Sequence, residues 1–245
     1  MPEDIGIKWN ETFGSDWDEP EEIVEGCIKE QRRLLTGYKD QVIKGKLSKE
    51  KYEEALNPNM VAISLSGEPT LYPKLGELIA LFKKKGFNVF LVTSGVLPEA
   101  LRRLDTEPSQ LYISLTAQDY DTYQKVNRPI SLRLWNSLMN SLELTKSFKC
   151  PVAIRITAIK GINMDDPENF SKLIKISDCT YVEIKAYMHL GYSMLRLTRS
   201  NMPSFRDIES FGHKLSELIG YKIIGYSEES RVVLLSKLKK PVIFD

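Results

Sequence analysis

The 245 residues predict an α/β protein whose strands form one curled parallel sheet, a partial (β/α) barrel. Two observations carry that reading. From residue 60 onward, short apolar runs with β-branched members alternate with longer segments whose apolar residues recur at helical spacing. Five successive runs then end abruptly in hydroxyls, glycines and charges, and in a barrel such strand ends gather at one mouth. Composition agrees: 42% of residues are apolar and 27% charged, ample core for a single domain over 1–245. The formal net charge of +1 excludes a uniformly basic nucleic-acid coat but leaves room for a local basic face. No apolar run has the length of a membrane span, and no charged-then-apolar signal opens the chain, so it reads as cytoplasmic.

Residues 1–20 are acidic, with Trp9, Phe13 and Trp17 interleaved, and cannot form a core alone. Pro20 opens a helix over Glu21–Leu35 with Ile23, Val24, Cys27, Ile28, Leu34 and Leu35 on one face. A basic connector from Lys39 contains a short helix to Leu56 that Ser48 can cap. Together, residues 1–59 form an N-terminal segment ahead of the βα core, 60–187. Val61–Leu65 reads as a strand buried on both faces, followed by a helix through Leu75, Leu78, Ile79 and Phe82 that Gly86 closes. Phe87–Val92, Leu111–Leu115, Val152–Ile159 and Tyr181–Ile184 are the next strands, with helices between them and a break at Asn127-Arg128-Pro129. In the C-terminal part, 188–245, a loop rich in Gly, Ser, Arg and Met leads to a helix through Ile208, Phe211 and Leu215. Tyr221–Tyr226 and Val232–Leu235 follow as a hairpin. Cys27, Cys150 and Cys179 are far apart and form no C-x-x-C pair, so each reads as a structural hydrophobe.

The strand ends supply Ser66, Gly67, Glu68 and Thr70; Thr93, Ser94 and Gly95; Ser114 and Thr116; Arg155, Thr157 and Lys160; and Glu183 with Lys185. Hydroxyls and carboxylates of this kind suit a zwitterionic ligand with a ribose, and the cations suit a carboxylate or phosphate. Alternation places Glu183 and Lys185 on one strand face, so a salt bridge between them is the plain alternative to a chemical role for Lys185. Arg128, Arg133, Arg196, Arg199 and Arg206 are candidate phosphate contacts, with Tyr187, Tyr192 and Phe205 as stacking partners. Each arginine alone is more often a solvated surface group, and the Lys39–Lys51 run could add a phosphate contact but reads better as a solvated face.

Ser66-Gly67-Glu68-Pro69-Thr70 resembles the Gly-Gly-Glu motif of radical S-adenosylmethionine (SAM) enzymes, which holds the methionine amino group of SAM. Thr93-Ser94-Gly95 and Ser114-Leu115-Thr116 resemble that family's motifs at the methionine and ribose. More narrowly, the chain is similar to the tRNA 4-demethylwyosine synthase family. The segments are Leu65 through Pro73, Tyr123 through Pro129, Glu183-Ile184-Lys185-Ala186-Tyr187-Met188, Gly191-Tyr192-Ser193 and Asn201-Met202-Pro203-Ser204. The last two lie in a block that other radical SAM enzymes lack.

That resemblance implies a SAM site at Ser66, Gly67, Glu68, Thr70, Thr93, Ser94, Gly95, Ser114, Thr116, Arg155 and Thr157. It implies a Schiff base between Lys185 and pyruvate, and contacts to pyruvate or phenylalanine tRNA at Lys160, Asn163, Glu183, Arg128, Tyr187, Tyr192, Arg196 and Arg199. The implied reaction joins two carbons of pyruvate to the methyl group of N1-methylguanosine beside the anticodon, after a 5′-deoxyadenosyl radical abstracts a methyl hydrogen. It uses an external electron donor and a 4Fe-4S cluster, in a monomeric cytoplasmic enzyme. The family binds the cluster with a C-x-x-x-C-x-x-C loop after its first strand. No such loop and no strand precedes the Glu21 helix here, as in a truncated form or a reading frame with a late start. As written, the chain should not assemble the cluster or perform the radical step. Other readings stay open: another radical SAM enzyme, a cluster-free Schiff-base lyase of class I aldolase type using Lys185, or a catalytically silent tRNA-binding barrel.

Overall fold

The computed structural model describes residues 17–64 and 67–244; Trp9, Phe13, Leu65 and Ser66 lie outside them. The strands are β1 (Met60–Ile63), β2 (Asn88–Thr93), β3 (Gln110–Ser114), β4 (Val152–Ala158), β5 (Tyr181–Ala186), β6 (Lys222–Ser227) and β7 (Val232–Ser236). They form one sheet in the order β1-β2-β3-β4-β5-β7-β6, with β1 to β5 parallel and the β6–β7 hairpin added antiparallel to β5. The helices that interleave with the parallel strands are α4 (Leu75–Lys84), α5 (Pro98–Arg102), α6 (Tyr120–Asn127), α7 (Arg133–Leu144) and α8 (Pro167–Ser177). α1 (Pro20–Leu35), α2 (Lys39–Ile43) and α3 (Lys49–Leu56) precede the sheet, and α9 (Phe205–Ile219) feeds the hairpin.

Each element starts and stops where its chemistry dictates. Pro20 is the first residue of α1, and Glu19 and Glu22 close a reciprocal capping box. The Ser48 hydroxyl accepts the Lys51 N–H at the start of α3. At the end of α4, Gly86 takes φ +88°, and the N–H groups of Gly86 and Phe87 reach back to the carbonyls of Lys83 and Phe82, a Schellman closure. Ser204 and Asp207 cap α9, and its hydroxyl with its N–H holds the Asp207 carboxyl below its ordinary value.

Alternation along the strands separates two faces. Val89, Leu91, Leu111, Ile113, Ile154, Ile156, Val182, Ile184, Val233 and Leu235 are buried. They belong to one apolar cluster with Ile79 and Phe82 of α4, Leu138 and Leu142 of α7, Phe170 and Ile174 of α8, and Ile208, Phe211 and Leu215 of α9. The opposite, concave face carries the alternate residues, Val92, Tyr112, Ser114, Arg155, Thr157, Glu183 and Lys185, all of them partly or fully accessible. This face positions the site.

Three sequence expectations need correction. β1 is half-exposed rather than buried on both faces, because it is the edge of the sheet. Cys27 is exposed and Leu34 is 61% exposed. α1 packs against α4 and α3 and buries Val24, so the helical period that grouped Cys27 and Leu34 with it drew the apolar stripe too wide. The basic connector also holds a further helix, α2.

Gly95 follows β2 with φ +72°, and a Cβ there would lie 3.0 Å from Leu138 Cδ1 and 3.1 Å from Ile113 Cγ2. Gly67 has φ +96° but open space around the same position. Gly95→Ala therefore meets both backbone strain and overpacking, an expected loss of about 2–3 kcal/mol. Gly67→Ala meets strain alone, about 1 kcal/mol. Urea unfolding of the two variants checks this, and an equal or reversed order would contradict it.

Candidate active site at the strand ends

The loop after β1 and the end of β2 are tied by one carboxylate. Glu68 Oε1 accepts from the Thr70 N–H (3.1 Å), the Thr70 hydroxyl (2.7 Å) and the Thr93 hydroxyl (2.5 Å). Oε2 accepts from the Ser94 N–H (2.8 Å) and the Ser94 hydroxyl. A carboxylate offers roughly four lone-pair sites, so Glu68 is saturated by its own chain. It braces the loop after β1 against the end of β2. Thr93 in turn accepts the Gly95 N–H, and Ser141 donates to the Gly95 carbonyl at 2.6 Å, anchoring the turn to α7.

Further along the sheet, register sets the neighbours. Ser114 lies opposite Arg155 and Arg155 opposite Glu183, while Thr157 lies opposite Lys185 one layer nearer the mouth. Arg155 Nε donates to Glu183 Oε1 at 2.8 Å and Nη2 to Oε2 at 3.3 Å, and the guanidinium sits 4.6 Å from the Tyr112 ring centroid. Burial and the neighbouring Glu183 charge push the Tyr112 phenol up. The alternative pairing of Lys185 with Glu183 is therefore not formed: Arg155 takes that carboxylate. Among the described residues, the Lys185 ammonium and the Ser114 and Thr157 hydroxyls have no hydrogen-bond or ion-pair partner.

Several other predicted residues have different duties. Asn163 is fully buried: Oδ1 accepts the Ile159 N–H, and Nδ2 donates to the carbonyls of Thr116 and Thr157, so it braces two strand ends and cannot touch RNA. The Thr116 hydroxyl is bound to Asn127 Oδ1 at 2.6 Å. Tyr187 is 6% exposed, and its hydroxyl meets His189 Nδ1 and Ser193 Oγ, which makes it an anchor for the following loop rather than a stacking platform. Lys160 pairs with Asp207 at 3.1 Å. Arg128 ends α6 in the left-handed region (φ +47°) and lines a cavity of about 340 Å³ with Gln124 and Ile130. Tyr192 and Arg199 are exposed, and Arg196 lines a second cavity. Sequence reasoning missed two residues. Tyr112 was signalled by its two-residue offset from Ser114. Gln118 had no signal: it is 8% exposed, and its Oε1 is a buried side-chain oxygen without a partner among the described residues.

These groups fit SAM. Gly67 leaves an open cradle, the Ser114 and Thr157 hydroxyls are available to a ribose or a carboxylate, and Gln118 Oε1 is an acceptor awaiting a donor. They do not fit an iron–sulfur cluster. Cys27 lies on α1, Cys150 in the connection before β4 and Cys179 in the connection before β5. Burial and Glu107 push the Cys150 thiol up to about 12, and burial raises Cys179 too, whereas a cluster takes thiolates. Among the described residues, no three His, Cys, Asp or Glu side chains gather as a metal site. Glu68→Gln would place an amide donor against either the Thr70 or the Ser94 N–H group, whichever oxygen it replaces. The expected cost is about 1.5–3 kcal/mol in urea unfolding together with weaker SAM binding by calorimetry; wild-type values for both would contradict the brace.

A family model described as "Radical SAM superfamily" matches residues 48–174, and one described as "Wyosine base formation" matches 176–237. The S-adenosyl-L-methionine-dependent tRNA 4-demethylwyosine synthase of Pyrococcus abyssi is 48% identical over 225 residues, covering 90% of this chain. The chain spans 65% of that relative's length. The Methanocaldococcus jannaschii enzyme of the same name is 40% identical over 242 residues, 99% of this chain and 76% of the relative. A solved structure of TYW1 with a lysine-pyruvate adduct bound superposes with a TM-score of 0.82 at 39% identity, over 90% of this chain and 70% of that one. With a mostly parallel sheet of five successive βα strands, the chain belongs to the radical SAM superfamily and, within it, to the tRNA 4-demethylwyosine synthase family.

Proposed function

We propose that this chain supplies the SAM- and pyruvate-binding barrel of a tRNA 4-demethylwyosine synthase. The reaction would condense N1-methylguanosine in phenylalanine tRNA with two carbons of pyruvate. The observation that carries the reading is the unpartnered Lys185 amine, held on the concave face above an Arg155–Glu183 pair that has removed the nearest competing carboxylate. In a related protein, TYW1, a lysine-pyruvate adduct is bound. Here the Lys185 amine attacks the keto carbon of pyruvate and water leaves, giving a Schiff base. Thr157, opposite in register, offers its hydroxyl to the pyruvate carboxylate. Gly67, Ser94 and Ser114 would hold SAM, which, once cleaved to methionine by one electron from an external donor, would supply the 5′-deoxyadenosyl radical that takes a hydrogen atom from the RNA methyl group.

Tyr192, Arg199 and Arg128 at the rim are the proposed RNA contacts, and no described helix is long and apolar enough to cross a membrane. The proposed setting is the cytoplasm, with an external electron donor and a monomeric enzyme.

Incubating the chain with pyruvate and borohydride, followed by peptide mass spectrometry, tests the central role. The expected result is one reduced pyruvate on Lys185, and none in Lys185→Arg. Labelling spread over surface lysines, or none at all, would contradict it.

A further inference from the structure

A second recess lies beside the concave face, and neither the SAM nor the pyruvate assignment uses it. It encloses about 430 Å³ between α6, the turn after β4 and the loop after β5, within the range of small-ligand sites of about 300–1,000 Å³. Its walls are apolar at Val126, Ile162 and Leu197. Two cations, Lys125 and Arg196, also line it, from different elements. Tyr187 forms part of the boundary and lies two residues beyond Lys185, about 7 Å along the chain. The recess therefore adjoins the proposed reacting centre.

The two kinds of lining narrow the occupant. A free anion would satisfy the cations and leave the apolar walls empty, and an apolar peptide would leave the cations facing hydrocarbon. A nucleotide has both parts, a flat base for the walls and a phosphate for the cations. The occupant also has to arrive with the base that enters the barrel, since enzymes acting on a base draw it out of its stack. Resting on the RNA-modifying reading above, we propose that the recess takes the nucleotide next to the modified one. Its base lies unstacked against Val126, Ile162 and Leu197, and its phosphate lies near Lys125 and Arg196.

The test uses an anticodon stem-loop of phenylalanine tRNA with 2-aminopurine placed, one at a time, on either side of the target guanosine. Binding is followed by anisotropy at several salt concentrations, and unstacking by the brightening of 2-aminopurine. With the wild-type chain, one of the two positions should brighten on binding. Leu197→Glu, which sets a carboxylate on the wall, should abolish the brightening and weaken binding at least tenfold. Lys125→Ala, an exposed change on α6, should weaken binding three- to tenfold and lower the salt slope by about 0.7, one single-strand phosphate contact. Calorimetry with SAM should give the wild-type affinity in both variants, showing that the barrel is intact. RNA binding without brightening at either position, or brightening that survives Leu197→Glu, would overturn the recess while leaving the RNA reading in place. A wild-type chain that binds no stem-loop would overturn both.

Discussion

The site depends on one ion pair. Arg155 and Glu183 face each other across β4 and β5, and each neutralises the charge that would otherwise capture a neighbour. Their side chains are 32% and 17% exposed, so removing either would strand a partly buried charge on the concave face. With Arg155 in place, Glu183 is unavailable to Lys185, whose amine has no partner among the described residues. The Tyr112 ring beneath the guanidinium completes a layer in which an arginine serves as a floor.

A second constraint works at the strand ends. Glu68, Thr93 and Ser94 join the loop after β1 to the end of β2, and Asn163 joins the ends of β3 and β4. Buried or saturated polar groups of this kind contribute through fixed geometry, because every donor and acceptor is already matched. The groups left unmatched among the described residues, Ser114, Thr157, Lys185 and Gln118 Oε1, then mark where a ligand would complete the network. A division between braces and vacant groups is what preorganised sites require.

Most of the fold was legible because it is written in local period and punctuation. The alternation of strands and helices, Pro20, Ser48, Gly86 and the Ser204–Asp207 cap are each decided within a few residues. The strand ends were legible for the same reason, since polarity follows apolar runs. Partners across strands were not. Whether Glu183 meets Lys185 or Arg155 depends on the β4–β5 register, which lies outside any one segment. Asn163 and Tyr187 read as exposed site groups because their neighbours are polar, yet tertiary packing turns both inward. Cys27 and Leu34 show the converse, apolar residues at helical spacing on a helix that packs along a narrower stripe.

The most direct test is a crystal structure of the chain with SAM. The sulfonium nucleoside should lie on the concave face, with its amino acid end beside Gly67 and Ser94, its ribose near Ser114, and Lys185 opening onto the same space. A nucleoside bound on the helix-covered face, or one separated from Lys185 by the Arg155–Glu183 layer, would contradict it.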